Sequence, residues 1–245
     1  MKFALIGHPV AGSLSPLLFG AAYSGRYQYD LIDRPSFDEA WEVFLNGYDG
    51  INVTAPFKQD AFSRCLWLSP AARLTGAVNL VLKDGLRGYN TDVDGILYAL
   101  AGCPVHDALV VGTGGAARAS IAAALQLGCR VSVLGRSPEK VAALEAQFGL
   151  PGTPVSSPDL VIYTLPGSAP VPSFLDLFRE SLPVATVLEA NYRDPRLANL
   201  PCRKYISGVR WLLGQAVAGY SLFTGERPSE AAMKTALEQY LQEAV

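Results

Sequence analysis

The heptapeptide NVTAPFK at residues 52–58 sets Thr54, Pro56 and Lys58 where a short apolar stretch hands over to a helix. A lysine at such a junction points into a crevice, where it can anchor an anion, move a proton or form a Schiff base. Three further segments carry polar groups at element ends. Gly12-Ser13-Leu14-Ser15-Pro16 puts two hydroxyls just before a helix; one serine suffices for a cap, which leaves the other for a polar ligand. Gly76-Ala77-Val78-Asn79 presents an amide ahead of a hairpin, and Asn90-Thr91-Asp92 follows that hairpin at the start of a helix. Singly, each has an ordinary explanation: Thr54 as a helix cap, Lys58 as a solvated lysine, Asp92 as a partner of a helix dipole. Together they supply hydroxyls, amides, an ammonium and a carboxylate, an inventory that suits a small polyhydroxylated carboxylic acid.

A second kind of chemistry lies in Val111-Gly112-Thr113-Gly114-Gly115-Ala116-Ala117, which follows an apolar strand and opens a helix. Gly112, Gly114 and Ala117 fit the G-x-G-x-x-A pattern. The first glycine permits the tight turn, the second lets the backbone approach a pyrophosphate, and the alanine allows close helix–strand packing. A second strand ends near residue 134, completing a βαβ unit that makes the pattern specific for a dinucleotide. NAD sites place a carboxylate at that strand end, but here it reads Leu134-Gly135-Arg136-Ser137-Pro138-Glu139-Lys140. Arg136, Ser137 and Lys140 offer the donors and charge that suit a 2′-phosphate, so the reading is NADP.

The elements that must position these groups follow from the apolar pattern. Strands are expected at residues 2–7, 28–32 and 50–53, with helices at 14–23, 37–45 and 56–65. A hairpin turns at Lys83-Asp84-Gly85, and a helix covers 92–100. After the Gly102-Cys103-Pro104 break, strands are expected at 108–111, 130–134, 160–165 and 184–188, and two helices from residue 209 onward. Alternation of strands and helices predicts an α/β protein with a mostly parallel sheet in each of two domains. The expected boundaries are 1–101 plus 209–245 for one domain and 102–208 for a Rossmann-like domain, the terminal helices returning to the first.

With 245 residues, half of them hydrophobic and 17% charged, the chain has material for two cores. The net charge of −2 and the lack of basic runs argue against nucleic acid or an anionic membrane, and every apolar stretch is too short to span a bilayer. The four cysteines form no CxxC pair and the two histidines have no metal-binding spacing, so no metal and no disulfide framework is expected. The expectation is a reduced, cytoplasmic protein acting on a small molecule.

These segments, in this order, resemble the shikimate dehydrogenase family over nearly the whole chain: GSLSP at 12–16, NVTAPFK at 52–58, GAVN at 76–79, YNTDVDG at 89–95, GTGGAARA at 112–119, and Gln215-Ala216 in a late helix. The resemblance implies reversible, NADPH-dependent reduction of 3-dehydroshikimate to shikimate by a monomer or homodimer. It implies that Ser13 and Ser15, with Tyr192, bind the substrate carboxylate. Thr54, Lys58, Asn79, Asp92 and Gln215 would hold the ring hydroxyls, Lys58 and Asp92 being the catalytic pair. Gly112, Gly114, Gly115, Ala116, Arg136, Ser137, Lys140 and Gly208 would hold NADP.

The departures from the family pattern cluster on the cofactor side. Asn-Arg-Thr has become Gly135-Arg136-Ser137, Asn-Ala-Thr after a strand of the nucleotide domain is Tyr163-Thr164-Leu165, and Gly-Met ahead of the late helix is Arg210-Trp211. Glu189 stands for an aspartate before Tyr192, and residues 193–204 lack the usual Thr-Pro. Two alternatives stand beside the main reading: a quinate or quinate/shikimate dehydrogenase using NAD(P), and a non-catalytic regulatory protein that binds shikimate-like acids.

Overall fold

In the computed structural model, residues 3–7 are all buried, so β1 (Lys2–Gly7) has no solvent face. Such a strand needs a neighbour on each edge, and β1 has two parallel ones, β2 (Gln28–Asp33) and β3 (Gly50–Val53). The structure describes residues 1–153, 155–168 and 182–243. Within them the chain divides into two units, Met1–Thr91 with Leu213–Val245, and Asp92–Leu212.

In the first unit, helices α1 (Ser15–Ala22), α2 (Phe37–Gly47) and α3 (Lys58–Arg64) follow these three strands in turn. The strand β4 (Trp67–Leu68) and helix α4 (Pro70–Thr75) come next; neither stands out in the sequence, because each is too short to show a period. The expected hairpin is present as β5 (Leu80–Leu82) and β6 (Arg87–Tyr89), antiparallel, with Gly85 at a φ of 66° in the turn. The mixed sheet runs β2-β1-β3-β5-β6-β4. Ile6, Trp41, Phe44, Ile51, Val53 and Val81 belong to the core on one face.

The second unit opens with α5 (Asp92–Ala99), then alternates β7 (Asp107–Val111), α6 (Gly115–Gln126), β8 (Arg130–Leu134), α7 (Pro138–Phe148) and β9 (Leu160–Tyr163). β10 (Thr186–Glu189) and β11 (Lys204–Ser207) complete a sheet of order β11-β10-β9-β7-β8, every pair parallel. β11 had no strand signal of its own. The order reverses between β7 and β9, the switch point at which ligands bind beyond the strand ends in open α/β sheets. The last elements are α8 (Gly208–Thr224), within which the division between units falls, and α9 (Glu230–Glu243).

Among the described residues no helix is long and apolar enough to cross a membrane, and no group of three or more His, Cys, Asp or Glu could hold a metal ion. All four cysteines are free, and burial pushes the Cys65 and Cys129 thiols up to about 12 and about 11, so neither is a nucleophile near neutral pH.

Candidate active-site residues

The first unit gathers its polar residues around Asn79, which is 2% exposed. Its Nδ2 donates to Thr91 Oγ1 (3.1 Å) and to Gln215 Oε1 (3.0 Å), and its Oδ1 accepts from the Thr91 N–H (2.8 Å). The GAVN segment, the NTD segment and the late helix therefore meet at one amide. Gln215 reaches it because α8 packs its aromatic side on β1 and α1, with Phe223 stacked on Phe3 (4.7 Å between ring centres) and Tyr220 edge-on to Phe19 (4.8 Å). One turn after Gln215 the helix carries Gly219, where a Cβ would come within 3.0 Å of Leu80 Cδ1. Asn90, also buried, fastens the GAVN loop from beneath by donating to Thr75 Oγ1 (2.9 Å) and to the Ala77 carbonyl (3.0 Å).

NVTAPFK adds to this cluster in a way its spacing did not reveal. Asn52 Nδ2 donates to the Asn79 carbonyl (3.2 Å), while its Oδ1 accepts from the Tyr29 hydroxyl (2.7 Å). Burial holds the Tyr29 phenol well above its ordinary value, nearby Tyr220 raises it further, and a hydrogen bond with Ser15 opposes them. Asn52, Tyr29 and Thr91 were not among the expected site residues. The only local hint was that Asn52 and Thr91 stand inside the motifs. Thr54 does not cap a helix. Residues 54–57 form a turn closed by the Phe57 N–H on the Thr54 carbonyl (3.0 Å), and α3 starts two residues later than expected, at Lys58 itself. Lys58 is half-buried there, and its carbonyl accepts from the Val78 N–H (2.9 Å), tying it to the GAVN loop.

The serine pair is likewise not spent on a cap. α1 has no side-chain cap at Leu14; Ser13 Oγ instead accepts from the Ser15 N–H (3.3 Å) and donates to Ser15 Oγ (3.2 Å). Both hydroxyls thus lie side by side at the start of α1, with Ser15 nearly buried and Ser13 partly open.

Asp92 and Tyr192 belong to the second unit. Asp92 is 4% exposed at the first position of α5. Tyr192 is half-buried in the loop after β10 with the Arg193 guanidinium 5.9 Å over its ring. That loop is organised by Glu189, fully buried, whose carboxylate accepts from the N–H groups of Arg196 (2.6 Å) and Leu197 (3.0 Å) and from the Tyr205 hydroxyl (3.0 Å).

The glycine loop has the form its sequence predicts. Gly112 leaves β7 at a φ of 123°, and a Cβ there would stand 2.2 Å from Thr164 Oγ1, which donates to the Val111 carbonyl (2.7 Å). Thr164 follows β9, so the two sides of the switch point are joined at Gly112. Gly114 precedes α6 without a side-chain cap, and the space its Cβ would enter is open. Gly115 and Ala116 form the first turn of α6, whose unsatisfied N–H groups can receive an anion. This cradle fits a dinucleotide pyrophosphate.

After β8, Arg136 and Lys140 are exposed, and no ion pair involves their side chains among the described residues. Ser137 does serve as a cap: its Oγ accepts from the Lys140 N–H (3.3 Å) and donates to Glu139 (2.6 Å), which holds the Glu139 carboxyl below its ordinary range. The missing amide at Gly135 has a packing reason, since a Cβ would come within 2.7 Å of Thr113 Cγ2. Tyr163 is fully buried in the apolar core of the second unit rather than lining a ligand surface. Arg210 is exposed with its guanidinium 5.6 Å over the Tyr98 ring. Gly208 lies so close to Ala190 that a Cβ would stand 2.2 Å from its carbonyl oxygen.

Residues 5–81 match the family model described as the shikimate dehydrogenase substrate binding domain. An NADP(+) shikimate dehydrogenase of Thermus thermophilus is 33% identical over 265 residues, covering 98% of this chain and 99% of that protein.

The chain belongs to the shikimate dehydrogenase family.

Solved members of the family share its fold. A shikimate 5-dehydrogenase of Thermus thermophilus, in complex with NADP(H) and shikimate, superposes with a TM-score of 0.85 at 31% identity, over 98% of this chain and 99% of that one. Shikimate dehydrogenase of Aquifex aeolicus gives 0.84 at 28% identity, over 97% of both chains.

Proposed function

We propose that this chain is an NADP-dependent shikimate dehydrogenase, reversibly reducing 3-dehydroshikimate to shikimate. The observation that carries the reading is the meeting at Asn79 of Asn52, Thr91 and Gln215, which joins four separated substrate-side segments of the family pattern in one polar cluster. The glycine cradle at Gly112 and Gly114, with Arg136 exposed nearby in sequence, suits NADP on the cofactor side.

In this reading Ser13 and Ser15, with Tyr192, bind the substrate carboxylate, and Thr54, Asn79 and Gln215 orient the ring hydroxyls. When bound, NADPH supplies the hydride for the C3 carbonyl carbon. Lys58, as an ammonium, donates a proton to the emerging alkoxide oxygen and stabilises its charge. In the oxidative direction the same nitrogen accepts that proton. Asp92 is the second member of the catalytic pair in this reading. Gly115, Ala116, Ser137, Lys140 and Gly208 complete the cofactor side. A cytoplasmic monomer or homodimer is the corresponding setting.

Initial rates with shikimate and quinate, each with NADP+ and NAD+, test the assignment; shikimate with NADP+ is expected to be fastest. Lys58→Met is expected to fold normally and lose roughly 10²–10⁴-fold in kcat. Near-normal turnover in that variant would overturn the role of Lys58. Absence of any shikimate-dependent NADPH formation in the unaltered protein would overturn the function.

A further inference from the structure

We infer that Asp33 is a positioning residue for the serine pair, its carboxylate pinning the loop that delivers Ser13 and Ser15 to the substrate. The inference rests on the substrate role proposed for those serines, but Asp33 belongs to none of the substrate-side motifs. It is the last residue of β2, and the parallel register sets it opposite Gly7, the last residue of β1. Its side chain therefore stands beside the chain as it leaves β1. One carboxylate oxygen meets His8 Nδ1 at 2.7 Å, and the other accepts from the Val10 N–H at 3.0 Å. The Ala11 N–H bonds to the same carboxylate, and the hydrogen bonds from His8, Val10 and Ala11 hold it below its ordinary range.

The path from this carboxylate to the serines is short. Val10, pinned through its N–H, has its side chain buried, and its carbonyl accepts from the Ser13 N–H (3.1 Å). Ser13 Oγ then accepts from the Ser15 N–H (3.3 Å). On its other side the loop is tied to the turn after NVT, through the His8 N–H on the Ala55 carbonyl (3.2 Å). Asp33 thus fixes the middle of a loop whose two ends are already held by the motifs.

The two kinds of bond on Asp33 differ in weight. The side chains of His8 and Asp33 are 49% and 40% exposed, so water and salt screen their attraction. The bonds from the Val10 and Ala11 N–H groups are charge-assisted; alanine forfeits them, and asparagine keeps one acceptor without the charge. The loop should therefore depend on the Asp33 carboxylate far more than on the His8 ring.

The test compares Asp33→Ala, Asp33→Asn and His8→Asn with the unaltered protein, by steady-state kinetics and by amide hydrogen exchange at Ser13 and Ser15. Asp33→Ala is expected to raise KM for shikimate about fivefold or more, with kcat and KM for NADP+ within about twofold, the split that a loss of uniform binding produces. Asp33→Asn, which keeps one acceptor, should fall between, and His8→Asn should stay within about twofold of the unaltered protein. The Ser13 amide should exchange about tenfold faster in Asp33→Ala. An unchanged shikimate KM with unchanged exchange overturns the inference. So does a parallel change in kcat and both KM values, which marks general destabilisation. If Asp33→Ala does not fold, Asp33→Asn is held to the same criteria. Exchange needs no turnover, so an unaltered protein inactive on shikimate would overturn the proposed function while leaving the pinning of the loop to be judged on its own.

Discussion

Replacing Asn79 by alanine probes the point where the substrate-side segments meet. The side chain makes three bonds between 2.8 and 3.1 Å, two to Thr91 and one to Gln215, beside a longer one from the Thr91 hydroxyl to its Oδ1 (3.3 Å) that is left out of the sum. At about 1 kcal/mol each they sum to roughly 3 kcal/mol. Two effects act on that figure in opposite senses. The Thr91 N–H, in a residue that is 4% exposed, loses its acceptor, which adds a desolvation cost of about 1–3 kcal/mol if nothing replaces it. Gln215 is half-buried, and water entering beside it recovers part of the loss. The expected destabilisation is about 2–4 kcal/mol, which for a chain of this size lowers Tm by roughly 5–15 °C. Urea unfolding followed by tryptophan fluorescence reads it, since Trp41 and Trp67 lie in the same unit as Asn79. Gln215→Leu removes a single bond and should cost about 1 kcal/mol. A cost below about 1 kcal/mol for Asn79→Ala, or equal costs for the two variants, would refute the reasoning that Asn79 is the hub.

Three other outcomes follow from the geometry. Gly112→Ala places a Cβ 2.2 Å from Thr164 Oγ1 at a φ of 123°, and should raise KM for NADP+ more than about tenfold; adding Thr164→Ala should restore only part, because the backbone strain remains. Arg136→Ala should raise KM for NADP+ about ten- to a hundredfold, the worth of a charged hydrogen bond, and leave NAD+ kinetics unchanged; equal effects on both cofactors would remove it from the 2′-phosphate. Stability should fall on acidification. Hydrogen bonds from His8 and Val10 lower the Asp33 carboxyl from 3.8, and those from Arg26 and Tyr27 lower Glu226 from 4.5. A carboxyl depressed in the folded state contributes stability above its unfolded value and loses it as pH falls through the folded one. Tm should therefore be level from about pH 7 to 5 and drop below about pH 4, and a decline already between pH 7 and 5 would point to other groups.

The fold was legible where the code is local. Buried runs such as residues 108–111 mark parallel strands, and the glycines at 112 and 114 between a strand and a helix mark the phosphate cradle. The missed strands, Trp67–Leu68 and Lys204–Ser207, are short and lie at the sheet edges, made by their neighbours more than by their own pattern. Capping, too, was decided by the local backbone, at Ser137, where no cap was expected, and at Thr54, where one was considered. Ser137 caps α7 because the backbone places its oxygen there, whereas Thr54 does not cap α3 because a turn intervenes.

By itself the sequence determined the kinds of groups and their order along the chain: two hydroxyls, an ammonium, amides and a carboxylate at element ends, and a dinucleotide loop after them. Only the tertiary structure decided which of them touch. Asn79 and Gln215 are 136 residues apart, Tyr29 and Asn52 are 23 apart, and Asp33 reaches Val10 across parallel strands. The physical reason is range. Backbone preference and capping act over a few residues, while a side-chain hydrogen bond needs two chain segments held to a fraction of an ångström, which only the packed sheet and the helix laid across it supply.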